Sequence, residues 1–280
     1  MTPKPVEELL ARWRSDLESW AIPEEISSRV SESPWVLPTQ VFARRAESQM
    51  RQPFGISYER AFEALLPPGE VLDVGAGAGA ACLPLAPRAT RITAVDISEE
   101  LLGILAAAAA GLATSMRTVS GSWPQIAAQV EAADVVTCHH VLYNVADLGP
   151  FIAALTWRAR RRVVVETTRR HPLATLNPLW ERFHGLRRPQ GPTADDLLAI
   201  LTCLGLDPSA TAWTRPASAE YGSFAEMVDV TRRRLCLPAE RADEVAAALR
   251  ELGADPDQPA DFGSSGRELV TIWWRGAASR

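Results

Sequence analysis

The stretch that decides the fold reads Val71-Leu72-Asp73-Val74-Gly75-Ala76-Gly77-Ala78-Gly79-Ala80. It joins a short apolar strand to a turn that is almost free of side chains. Glycine tolerates positive φ and has no Cβ, so three glycines at alternate positions let the chain bend sharply beside a ligand. We expect peptide N–H groups to face that ligand, with the positive end of a following helix aimed at the same place.

The glycine spacing alone does not identify the ligand. Gly75, Gly77 and Ala80 also satisfy the dinucleotide fingerprint Gly-x-Gly-x-x-Gly/Ala. Asp73 is more informative, because a carboxylate repels a bound pyrophosphate but accepts hydrogen bonds from an amino group. The pattern therefore favours a cationic cofactor without phosphate. A glycine-rich turn that binds nothing is the alternative.

With Asp73 in this position, the stretch resembles the first motif of the class I S-adenosylmethionine-dependent methyltransferases, Asp/Glu-x-Gly-x-Gly-x-Gly. The resemblance extends over residues 69 to 168 and implies S-adenosyl-L-methionine as the cofactor. It also implies that the cofactor is bound by Asp73 and by the turn residues Gly75, Ala76, Gly77 and Gly79.

The composition argues against a membrane protein and against a nucleic-acid-binding protein. The chain has 280 residues, 47% of them hydrophobic and 22% charged, and no apolar run approaches the ~18 residues of a membrane span. A net charge of −5 is unfavourable for a surface that follows nucleic-acid phosphates. The first residues lack the basic and then apolar pattern of a signal peptide, so we expect a cytoplasmic protein without a membrane or nucleic-acid partner. The sequence specifies no oligomeric state.

The cysteines and histidines do not predict a metal site. The four cysteines are widely spaced and form no Cys-x-x-Cys pair, which indicates reduced thiols. Cys138, His139 and His140 are adjacent, but neighbouring strand residues point to opposite faces and cannot readily bind one ion together. We predict no metal.

The order of elements predicts an α/β protein with a doubly wound parallel sheet. Residues 1–68 read as an N-terminal helical cap, and residues 69–280 as a methyltransferase domain with a lid-like insertion at 168–192 and a helical insertion at 219–254. The predicted strands are Val71–Val74, Arg91–Asp96, Met116–Ser120, Asp134–Cys138, Arg162–Thr167, Ala210–Thr214 and Glu268–Trp274. The resemblance implies seven strands, mostly parallel, with the last one antiparallel. Trp273 and Trp274 are interpreted as packing residues that anchor an edge strand.

Two further segments match the cofactor motifs of this family. Asp96 and Ile97 follow the second strand, where the family places a carboxylate on the ribose hydroxyls; an N-cap role for Asp96 is compatible with this. Ser122 and Trp123 follow the third strand and resemble the turn that contacts adenine. The usual residue at Ser122 is Asp, so the sequence departs from the pattern there.

The fourth motif supplies the candidate catalytic residues. His139, His140 and Tyr143 follow the fourth strand, at the carboxyl edge of the sheet where ligands of α/β proteins bind. A general base is needed only when the acceptor loses a proton, as a hydroxyl does. We rank His140 first as base and expect His139 to face the cofactor; a structural histidine is the alternative. The segment lacks the Asn/Asp-Pro-Pro-Tyr/Phe sequence of enzymes that methylate adenine or glutamine.

The sequence predicts methyl transfer to oxygen or nitrogen of a small-molecule acceptor. Two other functions stay open. The Gly-x-Gly-x-x-Ala spacing is compatible with an NAD(P)-dependent oxidoreductase, and a non-catalytic S-adenosylmethionine-binding partner or regulatory protein would retain the same cofactor motifs.

Overall fold

The computed structural model describes residues 6–216, 219–260 and 268–278. The first five residues of the predicted cap, and residues 217–218, 261–267 and 279–280 of the predicted methyltransferase domain, lie outside this description. The described strands are β1 Gly69–Val74, β2 Ala89–Asp96, β3 Ser115–Ser120, β4 Ala133–His139, β5 Ala159–Thr168, β6 Ser209–Thr214 and β7 Glu268–Arg275. They form a seven-stranded sheet in the order β3-β2-β1-β4-β5-β7-β6. Only β7 runs antiparallel to its neighbours, which confirms the predicted fold class.

The central strands are apolar on both faces because helices cover both sides of a parallel sheet. Alternate residues of β1 show this division, since Leu72 and Val74 pack into one core and Val71 into the other. The same alternation places Val163 and Val165 in the first core and Val164 in the second. Burial of these side chains from water is the main favourable contribution to folding.

The helices are α1 Val6–Glu18, α2 Glu24–Ser27, α3 Thr39–Arg51, α4 Ile56–Ala64, α5 Glu99–Ala109, α6 Leu148–Arg158, α7 Asn177–His184, α8 Ala194–Cys203, α9 Phe224–Arg234 and α10 Ala242–Glu251. Ser98 caps α5 as the sequence predicts, since its hydroxyl accepts a hydrogen bond from the backbone N–H of Leu101. None of the helices within the described residues is long and apolar enough to cross a membrane.

The prediction of a helix directly after the glycine turn is wrong. After β1 the chain forms turns and then a short 3-10 helix, Leu83–Leu85. Pro84 lies in the first turn of that helix, and Pro87 follows it. Proline is tolerated in a first turn but not further along a helix, because it lacks the backbone N–H and its ring clashes with the preceding turn. Pro84 is therefore incompatible with a helix that begins at the glycine turn, and Pro87 with continuation of the 3-10 helix as an α-helix. No α-helix dipole is therefore directed at the turn from this segment.

The assignment of Trp273 and Trp274 to an edge strand is also wrong. Their strand, β7, lies between β5 and β6, and β6 forms the edge. Trp274 is buried, and its indole N–H donates to the Thr156 hydroxyl at 2.9 Å. The two tryptophans pack as predicted, but the strand that carries them lies inside the sheet rather than at its edge.

A third apolar core joins the two insertions. Leu179 and Trp180 of α7 pack with Met227 of α9 and Val245 of α10. Val41 of α3 belongs to the same cluster, so this core also reaches the N-terminal helices. The lid-like insertion is thus a helix packed on the other insertion.

Candidate active site

One large cavity lies at the carboxyl ends of β1, β2, β4 and β5, with α3 across its opening. Its volume is about 770 Å³. Its lining includes residues of the glycine turn as well as His140 and Glu166. The strand order reverses between β1 and β4, and ligands of open α/β sheets bind at such a switch point. Of the predicted site residues, nine line it: Gly75, Ala76, Gly77, Asp96, Ile97, Ser122, Trp123, His139 and His140.

The glycine turn approaches the cavity with its backbone, but most of its N–H groups are already bonded. The amides of Gly75 and Ala76 donate to the carbonyl of Val95 at 2.8 and 3.0 Å. The amide of Gly77 donates to Asp96 Oδ2 at 2.8 Å. The expectation that these amides face the ligand therefore does not agree with the structure. Glycine is needed at position 75 because the turn backbone lies close to Val141. A Cβ on Gly75, at φ +74°, would lie 2.3 Å from Val141 Cγ2.

Asp96 is held by two backbone groups at the end of β2. Its Oδ2 accepts from Gly77, and its Oδ1 accepts from the N–H of Ser98 at 2.9 Å. A carboxylate has about four lone-pair positions, so both oxygens can accept further hydrogen bonds from hydroxyls in the cavity. Asp96 thus acts both as an anchor of the glycine turn and as an acceptor that lines the cavity.

The adenine-contact prediction concerns Ser122 and Trp123, and both line the cavity, as does Ile97 of the Asp96 motif. Ile97 is 75% exposed, so its apolar surface is open to contact with a ligand in the cavity. The indole Nε1 of Trp123 is buried and has no hydrogen-bond partner among the described residues. These features suit an aromatic ligand with hydrogen-bonding edges.

Three predicted site residues lie outside the described lining of the cavity. Asp73 is fully buried beneath the turn; its Oδ1 accepts from the Thr137 hydroxyl at 2.7 Å, and its Oδ2 has no partner among the described residues. Burial raises the pKa of Asp73, while the charge of His139 and the Thr137 bond act in the opposite direction. From this position Asp73 supports the turn, so direct contact with a cofactor amine stays a prediction.

Gly79 and Tyr143 are the other two. A Cβ on Gly79 would lie 2.7 Å from Leu83, so this glycine is needed for core packing beneath the turn. Tyr143 is buried behind His140, with ring centroids 6.3 Å apart. A catalytic contact by Tyr143 therefore stays a prediction, without support from the cavity lining.

His140 forms a close pair with Glu166 of β5. Its Nε2 lies 2.8 Å from Glu166 Oε1, and its backbone N–H donates to the Glu166 carbonyl at 2.8 Å. His140 has φ +60°, a left-handed conformation that is uncommon for a residue with a Cβ. The two hydrogen bonds hold the ring at the edge of the cavity despite this backbone strain.

The surroundings keep the histidine neutral and the carboxyl ionised. Burial lowers the pKa of His140; the bond and charge of Glu166 oppose this, and the charges of Arg215 and Arg45 add to it. Burial alone would raise the pKa of Glu166, but the His140 bond and the charges of His139, His140 and Arg215 hold it well below its ordinary value. A neutral imidazole next to a carboxylate is suited to accept a proton.

Sequence reasoning missed four charged residues of this cavity: Arg44 and Arg45 on α3, and Arg215 and Glu220 beyond β6. Arg215 follows β6 directly. Because β7 is antiparallel to both β5 and β6, β6 runs parallel to β5 and ends at the same edge of the sheet. The topology implied by the resemblance was thus a signal that could have placed Arg215 here.

An apolar wall completes the cavity on the side of the N-terminal segment. Phe42 of α3, Phe54 and Tyr58 line it, together with Trp35 of the preceding loop. Trp35 is 53% exposed, so an indole stands at the entrance. The lid-like insertion contributes no residue to the described lining, and its aromatic side chains pack in the third core instead.

The two other histidines are structural. His171 stacks on Trp20 with ring centroids 4.1 Å apart, and its Nδ1 accepts from the N–H of Leu173 at 3.3 Å. His184 Nε2 lies 2.7 Å from the carbonyl of Leu235. Neither side chain lines the cavity within the described part of the chain.

His171 is expected to make the fold sensitive to acid. Burial and the nearby Arg188 lower its pKa to about 3, whereas the unfolded chain titrates near 6.5. Between these values the unfolded state binds the extra proton, so stability falls as pH falls. The loss is about 3 kcal/mol between pH 6.5 and pH 4. Urea unfolding of wild type and His171→Gln across this range should show a steeper decline for wild type; parallel declines would contradict the assignment.

Comparison with known proteins agrees with the fold. Residues 72–159 match a protein family described as a methyltransferase domain. A curated relative, the ubiquinone biosynthesis O-methyltransferase of Aeromonas salmonicida (strain A449), is 31% identical over 114 residues, which are 38% of this chain and 46% of that protein. The match thus spans about half the length of the curated relative.

Two solved structures were compared with this chain. The YcgJ protein of Bacillus subtilis superposes with a TM-score of 0.52 at 17% identity, over 80% of this chain and 99% of that one. A magnesium protoporphyrin IX methyltransferase of Synechocystis PCC 6803 with bound SAH has a TM-score of 0.48 at 16% identity, over 85% and 84%. Only the first score supports the fold assignment. Residues 72–159 thus match a methyltransferase domain over part of this chain, and the seven-stranded sheet has the class I methyltransferase fold.

Proposed function

We propose that the protein is an S-adenosylmethionine-dependent methyltransferase that methylates a small molecule, with His140 as the general base. One observation carries the proposal: a single cavity is lined by the glycine turn with Asp96 and by the His140–Glu166 pair. A cofactor-binding surface and a base thus face the same enclosed space. The acceptor is proposed to enter beside Phe54, Tyr58 and Trp35.

The residues present fit this cofactor. The glycine turn leaves no room for a Cβ at Gly75, and Asp96 offers carboxylate oxygens toward ribose hydroxyls. The unpartnered Nε1 of Trp123 and the exposed Ile97 suit the adenine. When bound, the cofactor supplies an electrophilic methyl group on a sulfonium.

Alignment and exclusion of water supply much of the rate in such a displacement, about 7–11 kcal/mol for well-oriented reactants. α3 contributes Phe42, Arg45 and Ser48 to the wall of the cavity, where they would exclude water from the bound reactants. A neutral His140 would accept the proton of an acceptor hydroxyl while its oxygen takes the methyl group and the bond from that methyl group to sulfur breaks, with S-adenosylhomocysteine as the leaving group. Glu166 stabilises the resulting imidazolium. Because a free amine needs no base before attack, the His140–Glu166 pair favours oxygen as the acceptor atom.

The proposal is tested by following tritium from labelled S-adenosylmethionine into a panel of hydroxyl- and amine-bearing acceptors. Transfer to at least one hydroxyl acceptor is the expected result. Cofactor binding without transfer to any acceptor would instead favour a non-catalytic binding protein. A saturable fluorescence change with NADH would favour an oxidoreductase. The cytoplasmic location stays a prediction.

Replacement of Asp96 by alanine is expected to weaken binding of S-adenosylhomocysteine about 10- to 100-fold. The change removes the acceptor of the Gly77 and Ser98 amides and the proposed ribose contacts, and a hydrogen bond to a charged group contributes about 1.5–3 kcal/mol. Isothermal titration measures the effect.

Asp196→Ala is the matched control. Asp196 also accepts a backbone N–H, that of Thr193 at 3.0 Å, but it caps α8 away from the cavity. The control should lose stability and keep wild-type affinity. Equal affinities for Asp96→Ala and wild type would remove Asp96 from the binding site.

A further inference from the structure

A chain of alternating charges connects the N-terminal helices to the proposed base. Arg215 Nη2 donates to Glu166 Oε1 at 3.1 Å, and Arg215 Nη1 donates to Glu220 Oε1 at 3.4 Å. Arg45 of α3 donates to Glu220 Oε2 from Nε at 2.9 Å and from Nη2 at 2.5 Å. We call the series Arg45, Glu220, Arg215, Glu166 and His140 the charge chain.

The charge chain is shielded from solvent along its length. The side-chain exposures are 16% for Arg45, 8% for Glu220, 13% for Arg215, 9% for Glu166 and 19% for His140. Charges that are mostly withdrawn from water interact more strongly and are screened less by salt. A change at one member should therefore be felt at the next.

The proton on the His140 ring is assigned from the charge of the group nearest to each nitrogen. Nε2 lies 2.8 Å from Glu166 Oε1 and 3.1 Å from Arg215 Nη2. The contact between Nε2 and an ionised carboxylate is attractive only if a proton lies between them, so Nε2 donates to Glu166. Nδ1 then holds the lone pair, and it is buried without a partner among the described residues.

We propose that Arg215 is a positioning residue: it fixes Glu166 against His140, keeps the imidazole neutral in the Nε2–H tautomer, and is itself held in place by Glu220 and Arg45. This inference rests on the proposed function, because it explains how the same base is prepared. The guanidinium beside Nε2 disfavours a second proton on the ring. It also favours the ionised form of Glu166, which the Nε2–H tautomer requires.

The groups around His140 come from several elements. Glu166 approaches from β5, Arg215 from the segment after β6, and Arg45 from α3. Tyr143 lies behind the ring, and His139 precedes it in the chain. Of these, Arg215 is the cation that lies within hydrogen-bond distance of both Nε2 and Glu166.

The experiment follows the ring nitrogens and protons of the four histidines by NMR across pH in isotopically labelled full-length protein, with His140→Gln used to assign the His140 signals. In Arg215→Met, His140 should titrate at higher pH than in wild type, and the Nδ1–H tautomer should become populated. Arg215→Lys should restore most of the wild-type titration. In the methyl-transfer assay, the acidic limb of the kcat profile should move to higher pH in Arg215→Met, because the base is protonated more readily.

Arg45 and Arg44 provide a matched pair at the far end of the chain. Both bind the segment around Glu220, but Arg44 donates to the Glu220 carbonyl and to Glu226 rather than to the Glu220 carboxylate. Arg45→Met should move the His140 titration in the same direction as Arg215→Met, and Arg44→Met should leave it unchanged. Arg45→Met also carries the test if Arg215→Met does not fold.

A wild-type His140 titration and tautomer in a folded Arg215→Met or Arg45→Met variant would overturn the inference. Failure of this inference and failure of the proposed function can be told apart. If wild type fails to bind S-adenosylhomocysteine while Arg215→Met still shifts the His140 titration, the proposed function fails and the positioning role of Arg215 stands.

Discussion

Replacement of His140 by glutamine is expected to lower the rate of methyl transfer to a hydroxyl acceptor by about 10²- to 10⁴-fold, the usual contribution of a positioned general base. Glutamine keeps the polarity and approximate size of the side chain but cannot accept the proton. Affinity for S-adenosylhomocysteine should change little, because Asp96 and the glycine turn remain in place. Single-turnover kinetics and isothermal titration measure the two quantities separately.

The pH dependence gives a second result for the same residue. The base must be neutral, so activity falls as pH falls through the pKa of His140, which lies below its ordinary value of 6.5 because of burial. The wild-type rate should therefore stay on its plateau somewhat below pH 6.5. His184→Gln is the control, since His184 bonds the Leu235 carbonyl away from the cavity. Full activity in His140→Gln would remove it as base.

Replacement of Gly75 by alanine is expected to abolish cofactor binding and to destabilise the fold by about 2–5 kcal/mol. The new Cβ would lie 2.3 Å from Val141 Cγ2, and the residue would have to keep φ +74°. Relief of the clash displaces either the turn or the loop after β4, and both line the cavity. Urea unfolding and titration with S-adenosylhomocysteine measure the two effects.

Gly185 provides a control that separates strain from steric clash. It ends α7 at φ +64°, and a Cβ there meets nothing within 4 Å. Gly185→Ala should therefore lose only the cost of the left-handed conformation, about 1–2 kcal/mol, and bind the cofactor as wild type does. If Gly75→Ala behaved like this control, the close packing of the turn would not be needed for binding.

The strands were predictable because a parallel sheet buried on both faces requires continuous apolar runs. Val163 to Val165 and the residues before Gly75 form such runs, and the structure places them in β5 and β1. The end of the cavity beside the glycine turn was predictable for a related reason. Its residues lie at or just beyond the carboxyl ends of strands, since Asp96 ends β2 and Ser122 follows β3, and so they meet at one edge of the sheet.

The errors arose where a local pattern competed with another constraint. A helix after the glycine turn was expected from the ligand motif, but Pro84 and Pro87 limit the segment to one 3-10 turn. The hydrogen bond between Asp73 and Thr137 joins β1 and β4, and local sequence does not reveal it; contact between Asp73 and a cofactor stays a prediction.

The charge chain was not predictable from local patterns. Arg45 and Glu220 are separated by 175 residues in sequence and meet only because α3 and the helical insertion pack over the same sheet edge. Arginines on polar segments are ordinarily solvated. Only the direction of β6, which depends on β7 lying between β5 and β6, brings Arg215 to His140.

Isothermal titration of the wild-type protein with S-adenosylhomocysteine tests the central proposal most directly, because it needs no knowledge of the acceptor. The expected result is saturable binding, with one nucleoside per chain and an affinity in the micromolar range or tighter. Absence of saturable heat at high micromolar nucleoside, from protein shown to be folded, would contradict the proposal that this cavity is an S-adenosylmethionine site.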